Sequence, residues 1–175
     1  MISIMRLLEG KYDYGCVMAR IEEEAARKLL EFNLRTIAEE LLYEEEGHEY
    51  GREKQAHITL KYGLLQSYSP AEMKKLLRNV TPFDIEVKGI SVFENEKFDV
   101  VKFDVEGKEL RKINEILNML PNHDEYGDEY RPHLTLAYLK KGLGARSTRK
   151  SKRVARIPVK MIEYSDRGVK SHYDL

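Results

Sequence analysis

The sequence predicts an α+β fold whose two halves echo one another. Three observations carry this expectation. Segments of two-residue apolar alternation interleave with segments of helical spacing. No Pro/Gly/Ser linker splits the 175 residues into two folding units, so 1–175 reads as one domain, long enough for a real core. Each half also contains a helix followed by a strand of the pattern His-x-Thr-Leu-x-Tyr, "HITLKY" at 57–62 and "HLTLAY" at 133–138.

The elements follow in order. "YGCVMARIE" (14–22) reads as a strand. Leu29, Leu30, Leu34, Ile37, Leu41 and Leu42 recur at helical spacing, which predicts an amphipathic helix over 23–46 with glycines after its end. "QAHITLKYGLL" (55–65) alternates and reads as a strand. In "SPAEMKKLLRNV" (69–80), Ser69 as N-cap, Pro70 at the first helical position and Glu72 at the third mark a helix start. "FDIEVKGISVFE" (83–94) and "KFDVVKFDVE" (97–106) read as a hairpin turning at "NE". Residues 107–120 carry Leu110, Ile113, Ile116, Leu117 and Leu120 on one helical face, with Pro121 beyond. "RPHLTLAYL" (131–139) is the second histidine strand, a basic Gly/Ser-containing loop follows, and "IPVKMIEYSD" (157–166) and "VKSHYDL" (169–175) close the chain as strand and edge.

Charge balances at 30 basic and 30 acidic residues, so overall charge names no partner. Its distribution is uneven: residues 39–49 hold six glutamates and no Lys or Arg, whereas 140–156 hold eight basic side chains and no acid. Such runs ordinarily form solvated faces. The single cysteine, Cys16, excludes an internal disulfide and lies in an apolar run, the setting of a buried thiol. No stretch approaches the roughly 20 apolar residues of a membrane span. The start of the chain becomes charged too quickly for a secretory signal, so an intracellular soluble protein is expected.

On a strand, residues i and i+2 share a face about 6.5 Å apart. His57 and Thr59 therefore point one way, as do His133 and Thr135, while Ile58, Leu60 and Tyr62, and Leu134, Leu136 and Tyr138, are expected on the other face. If the strands converge, two imidazoles and two hydroxyls face one cleft. That set suits phosphodiester chemistry without a metal or other cofactor. A neutral imidazole removes a proton from a hydroxyl, a protonated one supplies the departing oxygen, and an ordinary histidine pKa near 6.5 makes both forms accessible. The threonines would donate to the non-bridging phosphoryl oxygens. Two histidines with no evident carboxylate or thiolate third ligand make a poor zinc site. His48, His123 and His172 sit in loop-like or terminal surroundings and read as exposed bystanders. Lys61 is expected beside His57 and Thr59, where an ammonium could meet phosphate, and Tyr12 could stack on a base. The basic loop could attract anions over the cleft.

The paired motifs resemble those of the 2H phosphoesterases, and the resemblance extends over most of the chain, through "YGCVMARI", the long helix, "HITLKYGL", the hairpin, "RPHLTLAYL" and the closing strands. It implies a bilobal, pseudo-twofold α+β fold, two antiparallel or mixed sheets flanking a cleft with helices outside. It also implies His57 and His133 as the acid–base pair and Thr59 and Thr135 as phosphate ligands. "HITLKYG" and the length are most similar to small phage anti-CBASS phosphodiesterases. That implies cyclic di- or trinucleotide substrates, cut through attack by a neighbouring 2′-hydroxyl, in a host cytoplasm. Other members of the family act on 2′,3′-cyclic phosphates at RNA ends or on 2′–5′ linkages. No membrane and no obligate protein partner is implied. A non-catalytic nucleotide sponge and an RNA-binding module driven by the 140–156 charges are the alternatives.

Overall fold

The computed structural model describes residues 14–46, 48, 50–123, 129–147 and 155–175. Seven strands, β1 (Gly15–Ile21), β2 (His57–Leu64), β3 (Phe83–Glu94), β4 (Phe98–Glu106), β5 (His133–Lys140), β6 (Ala155–Asp166) and β7 (Val169–Asp174), form one sheet. Every pairing is antiparallel, along β2-β1-β6-β3-β4-β5 with β7 also on β6. Among the described residues four α-helices accompany them: α1 (Glu23–Thr36), α2 (Pro70–Leu76), α3 (Lys108–Asn118) and the short α4 (Gly144–Ser147).

Strand β6 makes one sheet of the two that were expected. Its first residues, Ala155 to Val159, pair with β3, and its remainder pairs with β1 on one side and β7 on the other. The sheet is therefore two four-stranded halves, β2-β1-β6-β7 and β5-β4-β3-β6, that share a strand. Their correspondence pairs β2 with β5 and β1 with β4. The core lies between one face of this sheet and the helices: Val17, Ala19, Ile58, Leu134, Ile162 and Phe103 from strands meet Leu110, Ile113 and Leu117 of α3. Helix α3, although it follows β4, packs on β2 of the first half, and α1, although it follows β1, packs on β5 of the second.

Helix α1 stops ten residues before the expected end. Ile37 is extended, and its chain then runs beside β5 through the Leu42–Leu139 bridge and the Tyr43 amide on the Tyr138 carbonyl at 2.9 Å. The guanidinium of Arg52 receives the helix end, bonding the Asn33 carbonyl at 3.1 Å and the Ile37 carbonyl at 2.5 Å. The bond to Ile37 satisfies a carbonyl that further helix would have used. Ile37 and Leu42, extended residues on either side of a 3-10 turn at Glu39–Leu41, are buried, while Leu34, expected on the apolar face, is exposed. Helix α2 begins as expected, with reciprocal Ser69 and Glu72 bonds of 2.8 and 3.3 Å.

At the end of β2, Gly63 has φ of +92°, and a Cβ there would sit 2.5 Å from the His123 carbonyl oxygen. This close approach lets residues 121–123 continue the sheet edge, with the His123 amide on the Gly63 carbonyl at 2.7 Å. Gly63→Ala should lower stability by at least about 1 kcal/mol in chemical denaturation; an unchanged midpoint would show that the approach carries no constraint.

Candidate active site

Strands β2 and β5 are the two ends of the sheet path, yet their α-carbons come within 8 Å of each other. The sheet curls until its edges meet, and the two histidine motifs meet with them. All four motif side chains, His57, Thr59, His133 and Thr135, are half-buried. His57 is near enough for its charge to depress the proton affinity of His133. The rings are fixed alike: Nδ1 of His57 lies 2.7 Å from the Gln55 carbonyl, and Nδ1 of His133 lies 2.9 Å from the Arg131 carbonyl. A carbonyl can only accept, so Nδ1 carries the hydrogen in each ring. Nε2 is left as the nitrogen that can exchange a proton.

Alternation along each motif strand is broken directly after the threonine, and β2 shifts once more at Gly63. Thr59 pairs with Met18 and Lys61 with Val17, so Leu60 is skipped; Thr135 pairs with Lys102 and Ala137 with Val101, so Leu136 is skipped. Each strand thus has a β-bulge directly after its threonine. The extra residue reverses the parity beyond it. Tyr62, opposite Cys16, and Tyr138, opposite Val100, fall on the side of the histidines and threonines, not on the opposite face as simple alternation predicts. Lys61 is likewise corrected: it pairs with Val17, a core residue, and is itself buried, so the register takes it off the face of His57 and Thr59.

A bulge leaves a carbonyl without its ladder partner. A helix asparagine answers it in each strand, and at Leu136 the Glu53 amide joins at 2.9 Å. Asn114 of α3 donates from Nδ2 to the Leu60 carbonyl at 2.6 Å, and Asn33 of α1 donates to the Leu136 carbonyl at 2.6 Å. Both asparagines are buried, and their carbonyl oxygens accept from Asn118 at 3.1 Å and Arg52 at 2.9 Å. Each donor comes from a helix of the opposite half of the sequence. Neither residue was singled out from sequence, although both interrupt apolar helix faces, which is the signal that could have found them.

The flanking strands make the two motifs unlike. Opposite His57 stands Arg20, whose guanidinium bonds Glu163 at 2.8 Å and Gln55 at 2.7 Å. Glu163 is wholly buried; burial alone would raise its carboxyl, but Arg20 and Lys170, with a 2.9 Å contact from His172, hold it below the ordinary carboxylate range. His172 is thus part of an ion cluster and not the bystander expected. Opposite His133 stands Asp104, and opposite Thr135 stands Lys102, which bonds both Asp104 and Ser91. The ring of Phe93 meets His133 edge-on, 5.1 Å between centroids.

Of the remaining candidates, Tyr12 lies outside the described residues, as do 148–154 of the basic loop. The start of that loop folds back as α4, anchored by the Gly144 amide on buried Asp99 at 2.8 Å. His48 stacks on Tyr50 and His123 packs against Tyr14, 5.4 and 5.6 Å between centroids. Cys16 is buried as expected, its thiol pushed up to about 12 by burial and then by Glu163. No helix among the described residues is long and apolar enough to cross a membrane.

Comparison with known proteins adds the following. The sequence pattern of the 2′-5′ RNA ligase superfamily matches residues 24–161. No curated protein sequence matches the chain. Among solved structures, Kluyveromyces marxianus Usb1 with uridine monophosphate is similar at a TM-score of 0.56 and 9% identity, over 94% of this chain and 99% of that one. Thermus thermophilus TT0787 is similar at 0.54 and 17%, over 93% and 94%. Escherichia coli LigT complexed with phosphate is similar at 0.52 and 12%, over 95% of each. At these identities the likeness is one of fold.

Replacing Asn114 by Leu should deprive the buried Leu60 carbonyl of its bond from α3 and lower stability by about 1–3 kcal/mol, whereas Asn33→Leu should cost less through its carbonyl, because Leu136 keeps the Glu53 amide at 2.9 Å. Urea titrations of the two variants check this, and an Asn114 variant as stable as the parent protein would refute the role of that bond.

Proposed function

We propose that this chain, which belongs to the 2′-5′ RNA ligase superfamily, is a phosphodiesterase that breaks nucleotide phosphodiesters beside a 2′-hydroxyl, with His57 and His133 as the proton-transfer pair. The observation that carries the reading is the matched pair of imidazoles. Each is tied through Nδ1 to a backbone carbonyl two residues earlier, each has a threonine two residues on, and both lie on strands that meet edge to edge.

The chemistry runs in two steps. One imidazole Nε2 takes the 2′-hydroxyl proton as that oxygen bonds to phosphorus. The other, as imidazolium, gives its proton to the departing oxygen as the old P–O bond breaks. The products are a 2′,3′-cyclic phosphate and a free hydroxyl. Water then opens the ring with the two roles exchanged, leaving a terminal phosphate and restoring both histidines. Thr59 and Thr135 hold the non-bridging oxygens, where donors are worth most as charge redistributes.

The substrate we favour is a cyclic di- or trinucleotide, on the similarity of "HITLKYG" and chain length to the small phage enzymes. A second reading is an RNA end bearing a 2′,3′-cyclic phosphate or a 2′–5′ linkage. It is favoured by the likeness of fold to Usb1 with uridine monophosphate and LigT with phosphate.

The test is a panel of cyclic di- and trinucleotides, 2′–5′ oligoadenylates and RNA ending in 2′,3′-cyclic phosphate, each incubated with EDTA and read by product mass. Turnover is expected on one class. His57→Ala and His133→Ala should each lower it by about 10²–10⁴-fold while binding persists. Stoichiometric depletion without product would make the chain a sponge, and full turnover in either variant would remove the histidines from the mechanism.

A further inference from the structure

The two histidines share a motif but not a setting, and the difference lies on β4. Lys102 is buried, and its ammonium is engaged on all sides: by Asp104, by the Ser91 hydroxyl at 2.7 Å, and by the face of Phe93, 4.1 Å from the ring centre. Ser91 in turn donates to Asp104 at 2.8 Å, closing a triangle. Lys102 therefore has no donor to spare for a phosphate. What it does hold is Asp104, the register partner of His133, while Phe93 joins the triangle to the imidazole edge.

We propose that Lys102, Asp104 and Ser91 form a charge-compensated couple beside His133, in which the Asp104 carboxylate is held by its own partners and not left free to pair with the imidazole, so that His133 takes the proton-accepting role in the first step. The proposal rests on the phosphodiesterase reading above. His133 Nε2 then takes the 2′-hydroxyl proton, and His57 delivers the proton to the leaving oxygen. The three residues touch His133 or its neighbours and not the reacting atoms; they are positioning residues.

The charged groups facing His133 are Lys102 and Asp104 on β4 and His57 on β2; Phe93 on β3 and the Arg131 carbonyl are neutral. The imidazole is lowered to about 4, first by burial; the carbonyl bond raises it, Lys102 and His57 lower it, and Asp104 raises it. For Asp104 itself, burial favours the protonated form, yet the bonds from Lys102 and Ser91 keep its carboxyl below the ordinary range. Asp104 thus remains an anion whose pull on His133 is cancelled by its own partner. The first half is built differently, with Arg20 beside His57 paired to Glu163 of β6. The place of Lys102 is taken by Met18, opposite Thr59, and the place of Asp104 by Arg20, opposite His57.

The couple predicts shifts of opposite sign. Lys102→Met, which installs the side chain found at the corresponding place in β1, removes a cation and leaves Asp104 uncompensated, so the His133 midpoint should rise by about one pH unit. Asp104→Asn removes the anion and leaves the cation, so the midpoint should fall. Ser91→Ala, the mildest change, should move it upward by less. The readout is the imidazole Cε1–H resonance of His133 against pH, identified by its loss in His133→Gln, together with the acid limb of kcat/KM on any substrate turned over. Midpoints that stay fixed, or move the same way in the Lys102 and Asp104 variants, overturn the couple, and Ser91→Ala and Asp104→Asn keep the test open if Lys102→Met does not fold. The titration needs no substrate. Opposite shifts without turnover would therefore reject the phosphodiesterase reading and retain the couple, whereas turnover with unmoved midpoints would reject the couple alone.

Discussion

One extra residue in each motif strand governs the rest of this structure. Strict alternation would have sent Lys61 to the side of His57, and Tyr62 and Tyr138 to the core. The bulges at Leu60 and Leu136 reverse this, so each motif strand carries His, Thr and then Tyr on a single side. The reversal leaves a carbonyl in the interior that the ladder cannot serve. An unmet buried acceptor is worth about 1–3 kcal/mol, a large share of a domain's net stability. Asn114 serves Leu60, and Asn33 serves Leu136 together with the Glu53 amide; the two asparagines sit on α3 and α1, which lie across the opposite half of the sheet. A local irregularity and the global crossing of helices are thus one arrangement.

The motifs supply symmetry, and the strands beside them remove it. Arg20 and Asp104 occupy corresponding places with opposite charge, and Met18 faces Lys102 across the same pseudo-twofold relation. Acid–base chemistry needs such a difference, because two identical imidazoles would titrate together and no pH would give one of each form in a high fraction. The ion cluster around Glu163 closes the first half, with Arg20 of β1 and Lys170 and His172 of β7 converging on one carboxylate of β6.

Much of this was legible in the sequence. Apolar alternation located all seven strands to within a few residues, the Ser69–Pro70–Glu72 start fixed α2, and the repeated His-x-Thr pointed to the four candidate residues that the fold draws to adjoining strands. What escaped had a physical reason. A bulge is one residue inserted into an otherwise regular pattern, and "HITLKYG" reads as smooth alternation whether or not Leu60 is skipped. The end of α1 depends on Arg52, which reaches the helix from 15 residues beyond Ile37. Lys102, Asp104 and Glu163 look like the polar half of alternating strands; only pairings formed at long range show that they flank the histidines.

The crossing of the helices also shapes how this polypeptide emerges from a ribosome. When Leu60 has been made, Asn114 lies 54 positions ahead in translation, and Asn33 must wait 103 positions for its acceptor. Neither half of a nascent chain can settle its own motif strand, because the partner for each is encoded in the other half. Contacts this remote slow folding, since loop closure is paid before any contact rewards it. The incomplete chain therefore presents an unfinished apolar face until β5 and the strands after it are made.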